Sequence, residues 1–270
     1  MPGRLFRFCL AVGALVGAGL ACSSAWADEP LLILYYEREP YHYTRDGRPA
    51  GLLVERLDAA AAEAHVALRY ERVPGQRIIN DLSRQNVPVC ALGWGKTPER
   101  LRTFRFSAGL YRDLPLRLVA HASLAPALEA EGSIAALLDD PRYTLAAVQG
   151  LSYGPELDAR IAVMKGRIDR NLTLDRLLHT PQNARRLKAG HVHYTFVTQE
   201  EWPVVKRRFA PELNDFVMFN LAGMPDGGTR HLMCSVATDE SVLSRLSAAL
   251  AARYPELDAA PSLVTRDVRP

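Results

Sequence analysis

Short apolar runs alternate with amphipathic segments along this sequence, and that alternation restricts the fold more than any other feature. Leu31 to Tyr36 reads as a strand, Leu53 to Ala64 as an alanine-rich helix with Leu53, Leu57 and Ala61 on one stripe, and Leu68 to Val73 as a second strand. Gln76 to Arg84 has Ile78, Ile79 and Leu82 as an inward helical face, and Val87 to Leu92 supplies a third strand. Strands separated by helices of this length predict βαβ units and a mostly parallel sheet flanked by helices, an α/β lobe. After a linker-like stretch from His121 to Ala127 the pattern resumes, with a short helix capped by Ser133, a strand at Tyr143 to Val148, a helix at Pro155 to Val163 and a short strand at Leu172 to Leu174. A helix at Gln182 to Lys188, a strand at Val192 to Val197, a helix at Glu200 to Arg208 and a strand at Phe216 to Phe219 complete a second lobe. The glycine-rich passage Gly223 to Gly228 then leads to one more strand, His231 to Ala237, and an amphipathic helix, Glu240 to Arg253. That last unit is too small to bury a core of its own, so it is expected to pack back on the first lobe.

The start of the chain belongs to a different class of segment. Arg4 and Arg7 precede an apolar stretch from Phe8 to Ala21, followed by Ser23, Ser24 and the small-residue pattern Ala25-Trp26-Ala27, which reads as a secretory signal peptide cleaved after Ala27. The stretch is shorter than the roughly 20 residues that span a bilayer. Cys22 after Ala21 raises lipoprotein processing as the rival, although Gly19 stands where a large aliphatic residue is usual. Removal of residues 1–27 from 270 leaves 243, enough for two lobes of about 100 residues each. The expected division is 28–120 for the first part of lobe 1, 121–226 for lobe 2 and 227–270 for the return to lobe 1.

Composition narrows the partners. The 33 basic and 30 acidic residues give a net charge of +3 with no basic stripe or acidic tail, so a nucleic-acid role has no electrostatic support and a small molecule is the better partner. Of the four cysteines, Cys9 and Cys22 lie in the leader, which leaves Cys90 and Cys234. Two cysteines in an oxidising compartment more often form one disulfide than a metal site. No Gly-x-Ser-x-Gly elbow and no phosphate-loop pattern occurs.

The chemistry concentrates at strand ends. In open α/β sheets ligands bind outside the carboxyl ends of the strands, and the third strand ends in Gly93, Trp94 and Gly95. The glycines let main chain approach a ligand closely. Thr97 is an N-cap candidate, Pro98 suits the first helical position, and Arg100 follows with a planar fork suited to a carboxylate. The competing meaning is a good helix start with Arg100 in solvent. In the other lobe Gln149 and Gly150 end a strand, and Ser152 precedes a helix that opens at Gly154-Pro155; an ordinary βα loop is the alternative. Arg38 and Tyr41 follow the first strand, where an aromatic wall is useful and a core tyrosine equally ordinary. Arg77 reads as a helix-surface arginine. His191 and His193 share one face of a strand without a third metal ligand in view.

Taken in order, "RPAGLLVERLDAAAAEA", "VPGQRIINDLSRQNVPVCALGWGKTPERLRTFRFSAGLYRDLPLRLVAH", "VQGLSYGPELDARI", "LKAGHVHYTFVTQEEW" and "HLMCSVATDESVLSRLSAAL" resemble the bacterial periplasmic solute-binding proteins of family three, the polar amino acid type receptors of ABC importers. Lys96-Thr97-Pro98-Glu99-Arg100 followed by Phe106-Ser107 is the most specific element. The chain is most similar to a poorly characterised branch with one cysteine before that run and another near the C-terminus. The resemblance implies a two-lobed periplasmic binding protein type II fold joined by two crossing strands, a monomer in the periplasm, an ABC permease as partner, and no cofactor or metal. It implies that Arg100 holds a ligand carboxylate, with Gly93, Trp94, Gly95, Thr97, Ser152, Thr198, Arg38 and Tyr41 around it, and that Cys90 and Cys234 are placed side by side as a disulfide, two buried thiols being the alternative. One departure stands out. Amino acid binders of the family carry an acidic residue where this sequence has Thr198, so an α-amino acid would lose its main electrostatic partner, while Glu200 and Glu201 read as helix-opening carboxylates. The expected activity is binding without catalysis. The alternatives are a periplasmic hydro-lyase with Glu37 or Glu39 as proton carrier, and a ligand-sensing subunit.

Overall fold

The structure is a computed structural model that describes residues 29–84, 86–164, 166–172 and 181–257. The signal segment and Thr173 and Leu174 of the expected short strand lie outside those residues. The chain opens with β1 (Leu31–Tyr35), a hairpin of β2 (Tyr43–Arg45) and β3 (Arg48–Ala50), α1 (Leu52–Glu63), β4 (Leu68–Arg72), α2 (Gly75–Ser83) and β5 (Val89–Trp94). Then come α3 (Pro98–Thr103), β6 (Arg105–Phe106) and β7 (Tyr111–Arg112). The second unit runs through β8 (Arg117–His121), α4 (Ala125–Glu129), α5 (Ile134–Asp139), β9 (Leu145–Val148), α6 (Pro155–Val163) and β10 (Ile168–Leu172). It continues through α7 (Pro181–Lys188), β11 (Tyr194–Val197), α8 (Glu201–Arg208), α9 (Ala210–Leu213) and β12 (Phe216–Phe219). The chain then returns with β13 (Thr229–Cys234) and α10 (Glu240–Arg253).

Two sheets result. The first has the order β4-β1-β5-β13-β6, with β7 also paired to β13, and the second has the order β10-β9-β11-β8-β12. Each is mixed rather than mostly parallel. β1 runs parallel to β4 and β5, and β9 parallel to β10 and β11, as alternating strands and helices require. The antiparallel members, β13 in one sheet and β8 and β12 in the other, are the strands next to the connections between lobes. β8 already pairs within the second sheet at Arg117, ahead of the boundary expected at 121, and the end of the linker-like stretch runs into the helix Ala125–Glu129. The two connections cross so tightly that a Cβ on Gly227 would stand 1.7 Å from the Asp113 carbonyl oxygen.

Packing follows the period of each element. Leu31, Ile33 and Tyr35 of β1 face the α1 and α10 side with Leu53, Leu57, Leu246 and Leu250, while Leu34 faces the α2 side with Ile78 and Leu82. Coverage on both faces explains why β1 and β5 read as nearly continuous apolar runs. In β5, Val89 and Ala91 face one side, Cys90 and Leu92 the other. Trp94 should fall on the side of Cys90 but lies on that of Ala91. The cause is Gly93, whose φ of 81° coincides with a register shift opposite His231 and Leu232, a bulge that turns Trp94 over. A side chain at Gly93 would also meet Leu53 Cδ1 at 2.7 Å and His42 Nε2 at 3.1 Å.

His42 fills the space under this bulge. Its Nδ1–H donates to the Tyr36 carbonyl at 2.6 Å, and burial lowers its pKa from 6.5 to about 3, against the raising effect of that hydrogen bond. The imidazole is therefore neutral in the folded protein. Below about pH 6.5 the unfolded chain takes up a proton that the folded chain refuses, so stability falls with falling pH. We expect the unfolding free energy of the wild type to drop about 1.4 kcal/mol more than that of His42→Gln between about pH 7.5 and 5.5. Urea unfolding at both pH values measures this, and parallel losses in the two proteins would refute it.

Cys90 and Cys234 are register partners on β5 and β13 and are joined by a disulfide. The bond closes a sequence separation of 144 residues, and its loss is expected to cost about 2–4 kcal/mol. Protein beginning at Asp28, unfolded without reductant, should resist thiol alkylation and take up two labels after reduction. Two labels before reduction would contradict the bond.

Candidate functional site

The carboxyl ends of β1, β5, β9 and β11 converge where the lobes meet, and a cavity of about 330 Å³ lies between them. Its first-lobe wall includes Tyr36, Arg38, Trp94, Lys96 and Arg100, and its second-lobe wall the loop from Gly150 to Pro155 together with Thr198. Asp113, from the first connection, and Arg230, near the start of β13, also line it.

Three arginines on this cavity are held in three different ways. Arg38 and Glu201, 2% and 1% exposed, form a bidentate pair between the lobes, with Nε to Oε1 at 2.7 Å and Nη2 to Oε2 at 2.9 Å. Thr198 Oγ1 also donates to Glu201 Oε2 at 2.8 Å. Burial alone would raise the Glu201 carboxyl, but the Arg38 guanidinium and its hydrogen bonds outweigh burial and hold it at about 2. Arg230 forms a second bidentate pair, with Asp113, at 2.6 Å for both bonds, and its Nη1 donates to the Gly93 carbonyl at 3.1 Å. Arg100 differs in kind. Its Nη1 donates to the Gly95 carbonyl at 3.0 Å and its Nη2 reaches across to the Gly150 carbonyl at 2.7 Å, so its partners there are neutral. Its guanidinium lies 4.8 Å from the Trp94 ring centre. Burial lowers the Arg100 pKa despite nearby Tyr36, Asp158 and Glu99, the direction expected of a cation short of counter-charge.

The residues singled out from the sequence take different places. Gly93, Trp94, Gly95, Arg100, Ser152, Thr198 and Arg38 line the cavity. Thr97 does not; its side chain caps α3 by accepting from the Arg100 N–H at 3.2 Å. Tyr41 is fully buried behind the wall, its ring centre 5.2 Å from the Arg38 guanidinium and 4.2 Å from that of Arg230, so it supports two arginines from below. Ser152 Oγ donates to Asp158 at 2.5 Å, and the Tyr153 N–H donates to the same carboxylate at 2.8 Å, which fixes the loop before α6. Arg77 pairs with Asp81 on the exposed face of α2. His193 accepts from the Thr144 N–H, and no group of three or more metal-ligating side chains occurs among the described residues.

Glu200 and Glu201 are more than helix-opening carboxylates. Glu201 crosses to Arg38, and Glu200 accepts from Tyr111 Oη at 2.7 Å and the Leu114 N–H at 2.8 Å, tying α8 to the first connection. The hydro-lyase alternative finds no support. Glu37 is held by Thr44 and Arg72 at the surface, and neither it nor Glu39 lines the cavity. The sequence reading missed Asp113 and Arg230. A charged residue opening a strand destined for a sheet centre was the available signal, since such a charge demands a buried partner.

The architecture recurs in solved structures. The arginine-, lysine-, histidine-binding protein ArtJ of Geobacillus stearothermophilus is 15% identical with a TM-score of 0.64, covering 84% of this chain and 90% of that one. A histidine kinase sensor domain with similarity to periplasmic binding proteins is 18% identical with a TM-score of 0.62, covering 84% and 91%. An amino acid ABC transporter substrate-binding protein of Streptococcus pneumoniae, bound to L-arginine, is 18% identical with a TM-score of 0.60, covering 84% and 89%. Identities this low carry the fold alone, the type II periplasmic binding protein fold. Among curated proteins none matches the sequence. The sequence from residue 32 to residue 252 matches the bacterial extracellular solute-binding proteins, family 3, and the chain belongs to that family.

Proposed function

We propose that this chain captures a small carboxylate-bearing solute between its lobes, in the periplasm, and delivers it to an ABC importer. Arg100 carries the reading. It is the lining arginine whose hydrogen bonds end on neutral carbonyls, it already bridges the lobes through Gly150, and burial leaves its charge under-compensated. A carboxylate placed between Arg100 and the Ser152 loop would take over the bridge and add a charge-assisted pair. Closure is then favoured to the extent that the solute binds the closed arrangement better than the open one. Trp94, turned into the cleft wall by the Gly93 bulge, supplies an apolar face beside the guanidinium. Membership of the family supports the importer as partner.

Two outcomes follow. Arg100→Ala should weaken solute binding by about 2–5 kcal/mol, Arg100→Lys should lose much of that through the missing fork, and Arg102→Ala should bind as wild type does. Calorimetric titration across the three variants measures this, and equal affinities would place the solute elsewhere. For localisation, the periplasmic protein should begin at Asp28 by intact mass. A lipid on Cys22 would instead indicate an anchored lipoprotein.

A further inference from the structure

An ammonium group entering the cleft would need acceptors, and the enclosed carboxylates are already engaged. Both oxygens of Glu201 accept from Arg38, and Oε2 accepts from Thr198 as well. Both oxygens of Asp113 accept from Arg230. Asp158, behind Ser152, accepts from that hydroxyl and from the Tyr153 N–H. The carbonyls of Gly95 and Gly150 hold Arg100. The other carboxylate on the cavity, Asp226, is exposed, where pairing with water competes and an ion pair contributes little. Donors, by contrast, are in surplus. With Arg38 paired to Glu201 and Arg230 to Asp113, Lys96 and Arg100 face only the exposed Asp226, and the buried Trp94 Nε1–H has no hydrogen-bond partner.

A desolvated ammonium is costly unless paired. Taking Glu201 for that purpose would strand Arg38, itself 2% exposed, as an unpaired buried charge. Thr198 is no replacement for a carboxylate, because its hydroxyl carries no charge and is already bonded to Glu201 twice, donating to Oε2 at 2.8 Å and accepting from the N–H at 3.3 Å. We propose that the cleft selects an organic carboxylate without an α-ammonium group, and that the Arg38–Glu201 pair is the specificity-determining element that withholds the acceptor an amino acid would need. The inference rests on the carboxylate reading at Arg100.

Matched pairs test it directly on the purified protein: succinate against L-aspartate, glutarate against L-glutamate, and 3-phenylpropionate against L-phenylalanine, each titrated calorimetrically. The acid lacking the amine is expected to bind at least about tenfold more tightly than its amino counterpart. Arg38→Met, which frees Glu201, should narrow or invert that ratio, and Thr198→Asp should do the same if Arg38→Met fails to show a cooperative thermal transition. An amino acid that binds wild type as tightly as its partner acid, with binding lost in Arg100→Ala, overturns this inference and leaves the carboxylate site standing. Binding of neither series, or binding indifferent to Arg100→Ala, overturns the carboxylate reading and this inference with it.

Discussion

The antiparallel pairing of β13 with β5 holds the first lobe and both inter-lobe connections in one arrangement. It brings the distant end of the chain into the centre of a sheet whose other strands are local in sequence. Cys234 meets Cys90 through it, Arg230 reaches the Gly93 carbonyl and Asp113, and the bulge at Gly93 lies opposite the register shift at His231. Loop-closure entropy opposes such a non-local pairing until it forms. The disulfide sits where it constrains that entropy most, at the strand that would otherwise be free to leave.

Two buried ion pairs organise the cleft, and they differ in what they join. Asp113–Arg230 links the first connection to β13, where the chain re-enters the first lobe, whereas Arg38–Glu201 links lobe to lobe. Buried pairs contribute little net stability against apolar replacements, yet removal of one partner is costly because the other is left uncompensated. Their effect here is geometric. They fix which charges remain for a solute, and they leave Arg100 as the arginine with neutral partners.

Much of this architecture was readable from the sequence because it rests on local period and capping. α6, β12 and α10 occupy the residues their patterns indicate, and Ser133 and Thr97 cap the helices they precede. The β2–β3 hairpin went unread although Asp46-Gly47, both at positive φ, is a strong turn signal. At the site, Arg38 could be placed near the cleft from its strand, but its partner Glu201 lies 163 positions away, a relation no local pattern encodes. Glu201 was assigned to the helix dipole because the first turn of a helix is where carboxylates are ordinarily at home. Tyr41 shows the limit of reasoning from a strand end. Residues there alternate in facing, and this one faces in to support two arginines from behind.

The close approach of Gly227 to the Asp113 carbonyl has a mechanical meaning. Two segments that touch with no intervening side chain leave no room for one, so any larger residue at 227 would displace one connection against the other. The displacement would pass to the lobes that the connections join. The spacing of the cleft, and with it the Arg100–Gly150 bridge, thus depends on a residue without a side chain that is not itself part of the cavity wall.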